Sequence, residues 1–371
     1  MDVLKDVSHT YIHIPFCKKI CSYCDFCKVF YNKEISKKYL KSLEKEINEI
    51  YKGEYQKTIY IGGGTPSVLD IEELKNLLEI VEKLNHDKQT EITFECNFDS
   101  VTKEKIDLLA QYGINRLSFG LETTKKNVLN QINRDLDKEA VKKIIEYSRK
   151  KGISNINIDL MYGFENTNLE DLKKDIDFIL ELNPTHISTY SLEIHDNTKF
   201  AIDKVISMNE ELDRMMYDYI HKQLTENNYI HYEISNYSKK GFESKHNLCY
   251  WNNKCYYGFG VGASSYINNE RITNSRSITS YINNNIKREI ETLNTKDKIV
   301  YELILGLRLK DGINLSKFKE KYNKEINEIY NLNNLIKENK IIINNDFIKV
   351  PFDKWYTINS ILIDFLEVNY E

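Results

Sequence analysis

The sequence predicts an α/β protein. A parallel sheet is wound, wholly or partly, into a barrel of six βα units, and a small helical module with a hairpin follows. Three observations predict this. Short runs rich in Ile, Tyr, Thr and Phe alternate with longer amphipathic stretches through the first two thirds of the chain. Successive runs lie roughly 25–45 residues apart, as right-handed βαβ units require. The pattern loosens after about residue 200, short of the roughly 250 residues of an eight-unit barrel, so an incomplete barrel fits better.

The elements follow in order. Strands are expected at 11–14, 58–61, 91–95, 116–121, 156–160 and 187–192. Between them Leu40, Leu43, Ile47 and Ile50 fall on one helical face. Leu74, Leu77, Leu78, Ile80 and Val81 do the same, as do Val141, Ile144 and Ile145, then Leu172, Ile176, Ile179 and Leu180. A helix at 209–227, a strand at 232–237, a loop carrying His246 and a glycine-rich piece at 258–262 come next. From Lys296 helical runs at 300–309, 315–322 and 326–338 precede a hairpin at 341–350 that turns at Asn344 and Asn345. A last helix at 358–366 completes a winged-helix-like module. The expected division is a barrel over 1–205, an extension over 206–292 and the C-terminal module over 293–371.

Composition narrows the function classes. A net charge of -4 gives no reason to expect a nucleic-acid partner. No apolar run reaches about 18 residues, so no membrane span is expected and membrane association would come through partners only. The first residues lack the order of a signal peptide, so a cytoplasmic protein is expected. Seven cysteines in a reducing compartment point away from disulfides. Cys96, Cys249 and Cys255 are scattered, but Cys17, Cys21, Cys24 and Cys27 crowd into eleven residues after the first expected strand.

Cys17, Cys21 and Cys24 have the spacing C-x3-C-x2-C. Three thiolates on one loop can hold three irons of a four-iron cluster and leave the fourth open to a ligand. Zinc would usually want a second C-x2-C pair, which this chain lacks. Cys27 could close the cluster as a fourth ligand, as in an electron carrier. Ordinary buried thiols are the remaining alternative.

The run Tyr11-Ile-His-Ile-Pro-Phe-Cys17, then Cys21-Ser-Tyr-Cys24-Asp-Phe, resembles the cluster loop of radical S-adenosylmethionine (SAM) enzymes. The closer resemblance is to the branch that holds oxygen-independent coproporphyrinogen III dehydrogenases (HemN) and heme chaperones (HemW). Further segments match in order: Tyr60-Ile-Gly-Gly-Gly-Thr-Pro-Ser67, Arg116-Leu-Ser-Phe-Gly120, Asn157-Ile-Asp-Leu-Met-Tyr-Gly163, His231-Tyr-Glu-Ile-Ser-Asn-Tyr237 and His246-Asn-Leu-Cys-Tyr-Trp251. The resemblance spans nearly the whole chain. It implies the partial (β/α)6 barrel of that superfamily, a [4Fe-4S] cluster on Cys17, Cys21 and Cys24, and SAM chelating the open iron.

Roles for single residues follow from the resemblance. Gly63, Gly64 and Thr65 lie in a loop that holds the amino-acid end of SAM; glycines allow close backbone approach and expose N–H groups. Glu95 ends the third strand and could take the SAM ammonium or ribose. Glu122 stands where the family usually has Gln. Arg134 could pair the SAM carboxylate bidentately, and Asp159 could receive ribose or adenine. Tyr11 and Tyr23 flank the cysteines and contact SAM by resemblance. For the charged groups the alternative is a barrel-mouth salt bridge. His246, beside Tyr250 and Trp251, matches a motif proposed to bind heme; the alternative is a packed, hydrogen-bonded histidine.

Two departures favour the chaperone branch. Dehydrogenases carry a fourth Cys two places after the third, where this chain has Phe26. They also carry a long segment before the cluster loop, which here begins by residue 11. The family's Gly-x-Gly-Ala-His-Ser is Gly260-Val-Gly-Ala-Ser264-Ser265, and its Glu-Pro-Asn-Thr is His195-Asp196-Asn197-Thr198. The expected function is a radical-SAM-type heme chaperone that binds a [4Fe-4S] cluster, SAM and heme and delivers heme to recipient hemoproteins. An electron donor is a further expected partner, and a homodimer is compatible with the sequence. The alternatives are coproporphyrinogen III oxidative decarboxylation and an electron-transfer iron–sulfur protein.

Overall fold

The computed structural model of the chain describes residues 7–367. All six expected strands form: β1 (His9–Ile14), β2 (Thr58–Gly63), β3 (Glu91–Asn97), β4 (Arg116–Glu122), β5 (Asn155–Tyr162) and β6 (His186–Ser191). They pair in parallel and in chain order. The intervening helices α1 (Lys33–Ile50), α2 (Ile71–Val81), α3 (Lys103–Gln111), α4 (Lys138–Lys150) and α5 (Leu169–Leu182) start at side-chain caps: Asn32, Asp70, Thr102, Asp137 and Asn168. Their apolar faces, such as Leu40, Leu43 and Ile47, are fully buried against the sheet. Each such side chain contributes roughly 1.5–3 kcal/mol by leaving water.

The extension departs from expectation in four places. Residues 232–237 are not one strand but a hairpin of β7 (Ile230–Glu233) and β8 (Asn236–Ser238), because the Glu233 carboxylate accepts from Ser235 N at 3.1 Å and from the Asn236 amide and folds the turn. The glycine-rich piece opens with β9 (Tyr257–Phe259), a seventh parallel strand on the free edge of β1. Gly258 is required there, since a Cβ would meet the Ser264 carbonyl oxygen at 1.9 Å. The expected helix at 209–227 forms as α6 (Glu210–Glu226), but His246 lies not in a loop but on helix α7 (Lys245–Trp251), capped by Ser244. Beyond it β10 (Ser264–Ile267), β11 (Glu270–Asn274) and β12 (Arg288–Thr292) form an antiparallel sheet that the sequence reading omits. Its first turn carries Asn268 and Asn269 at φ 51 and 70.

The nine-stranded sheet runs β9-β1-β2-β3-β4-β5-β6-β8-β7, and its two edge strands do not pair with each other. The barrel is therefore incomplete. The C-terminal module has helices at Thr295–Gly306, Leu315–Tyr322 and Ile358–Glu367 and the expected hairpin, Ile342–Asn344 with Phe347–Lys349. Ile313–Asn314 adds a third strand, and 326–338 breaks into a 3-10 turn and a short helix. One hydrophobic core draws on residues 7–293 and another on residues 299–365. Backbone bonds join them: Ile234 N donates to Arg308 O and Lys310 N to Tyr232 O.

Candidate functional site

The cysteine loop leaves the C-terminal end of β1. Phe16–Cys17 pairs with Val29–Phe30, so both ends of the loop are fixed. Cys17 is buried, and Thr65 Oγ1 donates to its sulfur at 3.7 Å. Burial pushes its thiol up to about 11, against the pull of Thr65. Cys24 is raised by burial too. Cys21 Sγ accepts from Arg134 Nε at 3.1 Å. Cys17, Cys21 and Cys24 line one cavity of about 680 Å³ at the C-terminal end of the strands. Cys27 does not. It lies against Gly262, and its thiol reaches the Arg276 carbonyl at 3.6 Å.

The glycine loop of β2 presses on the cysteine loop. A Cβ on Gly64 would stand 2.8 Å from Phe16 O and 3.0 Å from Cys17 Sγ, and one on Gly63 would meet the His13 ring at 2.4 Å. The glycines therefore serve close approach. Their amides are not free: Gly63 N donates to Glu95 Oε2 at 2.9 Å, Gly64 N to Ile14 O and Thr65 N to Phe16 O, both at 2.8 Å. The expectation of exposed N–H groups is corrected on this point.

The carboxylates of Glu95, Glu122 and Asp159 face the same cavity, which Asp25, Glu193 and Asp213 also line. Burial lifts Glu95 to about 7, although Tyr60 Oη donates to it at 2.7 Å. Burial also lifts Glu122 to about 7 against the charge of Arg134, and raises Asp159. Glu122 ends β4 at φ 66, next to a bulge in the β4–β5 register. A bulky residue there is strained, as residues at functional sites often are. The turn aims its carboxylate at Arg134 Nη2, 3.0 Å away. Arg134 Nη1 donates to Asn97 Oδ1 at 2.8 Å and Gly120 O at 3.2 Å, which leaves one N–H of Nη2 without a partner among the described residues. To grip a ligand carboxylate with two N–H groups it must release one of these bonds.

Eleven of the thirteen residues singled out in the sequence line this cavity, Tyr23 among them. Two do not. Tyr11 Oη bonds His13 Nδ1 at 2.9 Å beside the cysteine loop. His246 sits at the opposite end of the barrel. Its Nδ1 meets Thr58 Oγ1 at 2.7 Å, its N–H donates to Glu91 Oε1 at 3.2 Å, and its Nε2 meets Tyr250 Oη at 2.8 Å. Thr58 and Glu91 are the first residues of β2 and β3, so α7 plugs the N-terminal face of the sheet. Burial holds the imidazole well below its ordinary pKa, and His246 is 1% exposed.

Some site residues are missing from the sequence reading. Asn97 Nδ2 donates to Thr65 Oγ1 at 3.1 Å while its Oδ1 accepts from Arg134. Two places beyond Glu95 on a strand, it is reachable by strand periodicity. Asn157 likewise precedes Asp159 by two and donates to it at 2.7 Å. Trp355, Tyr356 and Asn359 of the C-terminal module also line the cavity, and no local pattern signals them.

Among the described residues no three His, Cys, Asp or Glu side chains converge as a single ion requires. A four-iron cluster asks for less convergence, because each thiolate takes a different iron. Three thiols on one wall, glycines at contact distance and acid and guanidinium groups opposite fit such a cluster with an amino-acid ligand. No described helix is long and apolar enough to cross a membrane.

Known proteins resemble this chain in sequence and in fold. The radical SAM superfamily model matches residues 11–179, and the HemN C-terminal domain model matches residues 293–351. The heme chaperone HemW of Lactococcus lactis is 38% identical over 88% of this chain and 88% of its own. HemW of Bacillus subtilis is 37% identical over 86% of this chain and 88% of its own. HemW of Buchnera aphidicola is 35% identical over 96% and 98%. The structure of coproporphyrinogen III oxidase (HemN) from Escherichia coli, a radical SAM enzyme, superimposes with a TM-score of 0.86 at 21% identity, covering 97% of this chain and 90% of that one, which establishes a shared fold. With such identity to full-length relatives, the chain belongs to the HemW family of the radical SAM superfamily.

Proposed function

We propose that this chain is a heme chaperone of the radical SAM type, with a [4Fe-4S] cluster on Cys17, Cys21 and Cys24, SAM beside it, and heme as its cargo for hemoproteins. The observation that supports this reading is that three thiols share a cavity with Glu95, Glu122, Arg134 and Asp159 while Cys27 turns away to Arg276. A closed four-cysteine cluster is correspondingly disfavoured. When bound, the cluster and SAM supply one-electron radical chemistry at the open iron.

The chain's own residues do the rest. Thr65 and Arg134 each donate to a cysteine sulfur, which favours the thiolate that a metal needs. Glu95, lifted by burial to about 7, and Asp159, also raised by burial, face the cavity and can meet a cationic ligand. An electron donor must reach the cysteine loop, where Phe26 and Phe30 are 62% and 65% exposed.

Heme comes to this reading from the names of the relatives. Ligation through His246 Nε2 requires Tyr250 to let go, while Thr58 keeps Nδ1 and the ring orientation. The test is anaerobic heme titration of the reconstituted protein, His246→Ala and Tyr250→Phe. The reading expects binding to weaken in the first variant and to strengthen in the second. Heme binding that is absent, or indifferent to both changes, refutes it. Turnover of coproporphyrinogen III under the same conditions contradicts a chaperone.

A further inference from the structure

The cavity does not end at the cysteine loop. Its wall continues down the lumen to Arg116, the first residue of β4. Arg116 is 1% exposed and its side chain makes no hydrogen bond or ion pair with any described residue; its Nε is buried and unpaired. Beside it in the parallel register stands Thr93, whose hydroxyl is also buried without a partner.

The nearby acids are already taken. Glu95 accepts from Tyr60 Oη and Gly63 N, Asp159 from Asn157 Nδ2, and Glu91 from the backbone of His246. Burial raises Glu95 and Asp159 although the charge of Arg116 pulls both down, and neither forms an ion pair with it. His186 and His246, which feel the charge of Arg116, are held neutral. A guanidinium is a permanent cation with five donors in a planar fork that matches a carboxylate. A buried one without a paired anion is strongly disfavoured. The floor of the cavity thus has donors and positive charge to spare.

We propose that Arg116 on the floor of the cavity, with Thr93 beside it in the register, forms a carboxylate-binding subsite for a ligand of this chain. This rests on the reading that the chain takes SAM and heme: SAM carries one carboxylate, which that reading already places at the open iron, and heme carries two. The fork of Arg116 takes both carboxylate oxygens and the Thr93 hydroxyl donates to one of them.

The experiment measures equilibrium binding to the anaerobically reconstituted full chain in two arms. One arm compares SAM with decarboxylated SAM; the other compares heme with heme dimethyl ester. In Arg116→Gln the affinity for one acid should fall at least about tenfold, as expected for a lost charged hydrogen-bond pair, while its carboxylate-free counterpart is unaffected. The arm that responds identifies the source. Arg116→Lys should recover part of the loss. Thr93→Val, nearly isosteric, should show the same selectivity at a few-fold and keeps the test open if the arginine variants fail to fold. Equal losses for the acid and its counterpart in both arms, or no loss, overturn the subsite alone. A wild type that binds neither SAM nor heme refutes the proposed function and the subsite with it.

Discussion

Gly64 gives the sharpest handle on how the two loops cooperate. Its φ lies outside the left-handed region, so alanine there suffers no backbone strain. What it meets is backbone: Phe16 O and Pro15 C at 2.8 Å, with Cys17 Sγ at 3.0 Å. Real Cβ atoms do not sit so close, and neither backbone group can rotate away. The cysteine loop must shift by some tenths of an ångström, at the roughly 1–3 kcal/mol typical of an overpacked site. Gly53 provides the control. It has φ 94 with open space around a Cβ, so Gly53→Ala carries only the strain of the left-handed region, about 1–2 kcal/mol. The two variants should lose similar stability in denaturant titrations. Only Gly64→Ala should lose iron and sulfide after anaerobic reconstitution, because only there is Cys17 displaced. Full iron content in Gly64→Ala, or equal loss in both, refutes the idea that the glycine loop sets the cysteine loop.

Other outcomes follow from single interactions. Asn97→Ala removes the bridge between Thr65 and Arg134, and SAM affinity measured by equilibrium dialysis should fall several-fold with little change in iron content. Glu122→Gln removes the counter-charge of the largely buried Arg134 but keeps an acceptor oxygen; thermal stability should fall, and any pH dependence of SAM binding near pH 7 that Glu122 causes should vanish. His231 stacks on Tyr237 at 3.9 Å and packs on Trp355 of the C-terminal module, and burial lowers it to about 3. The unfolded chain takes up this proton first, so the contribution is complete above about pH 6.5 and is lost as pH falls toward about 3, near 2 kcal/mol by pH 5. Denaturant titrations at pH 7 and pH 5 on the wild type and His231→Phe check this; an unchanged slope in the variant contradicts it.

The barrel was legible because its code is local. Each strand from β1 to β6 is a short β-branched and aromatic run, and each helix has a visible apolar face and a side-chain cap. The cysteine and glycine loops were legible because their residue types have few other uses at that spacing. What stayed hidden depends on tertiary contacts. β9 is three residues long and exists because β1 offers a free edge. Its neighbour Gly260 donates its N–H to the buried Glu46 carboxylate across more than two hundred residues of chain. The sheet of β10 to β12 announced itself only through Asn268 and Asn269, the same signal that marked Asn345 in the last hairpin. His246 shows the limit most plainly. Its motif marks the residue, but only Thr58, Glu91 and Tyr250 show that it closes the far end of the barrel.

The central claim is that Cys17, Cys21 and Cys24 hold a cluster with one iron open to SAM, and that Cys27 takes no part. Electron paramagnetic resonance of the reduced, reconstituted protein, recorded with and without SAM for the wild type, Cys27→Ala and Cys17→Ala, tests it most directly. The account predicts a four-iron signal that changes on adding SAM in the wild type and in Cys27→Ala, and no such signal in Cys17→Ala. Loss of the cluster in Cys27→Ala, or a wild-type signal indifferent to SAM, would contradict it.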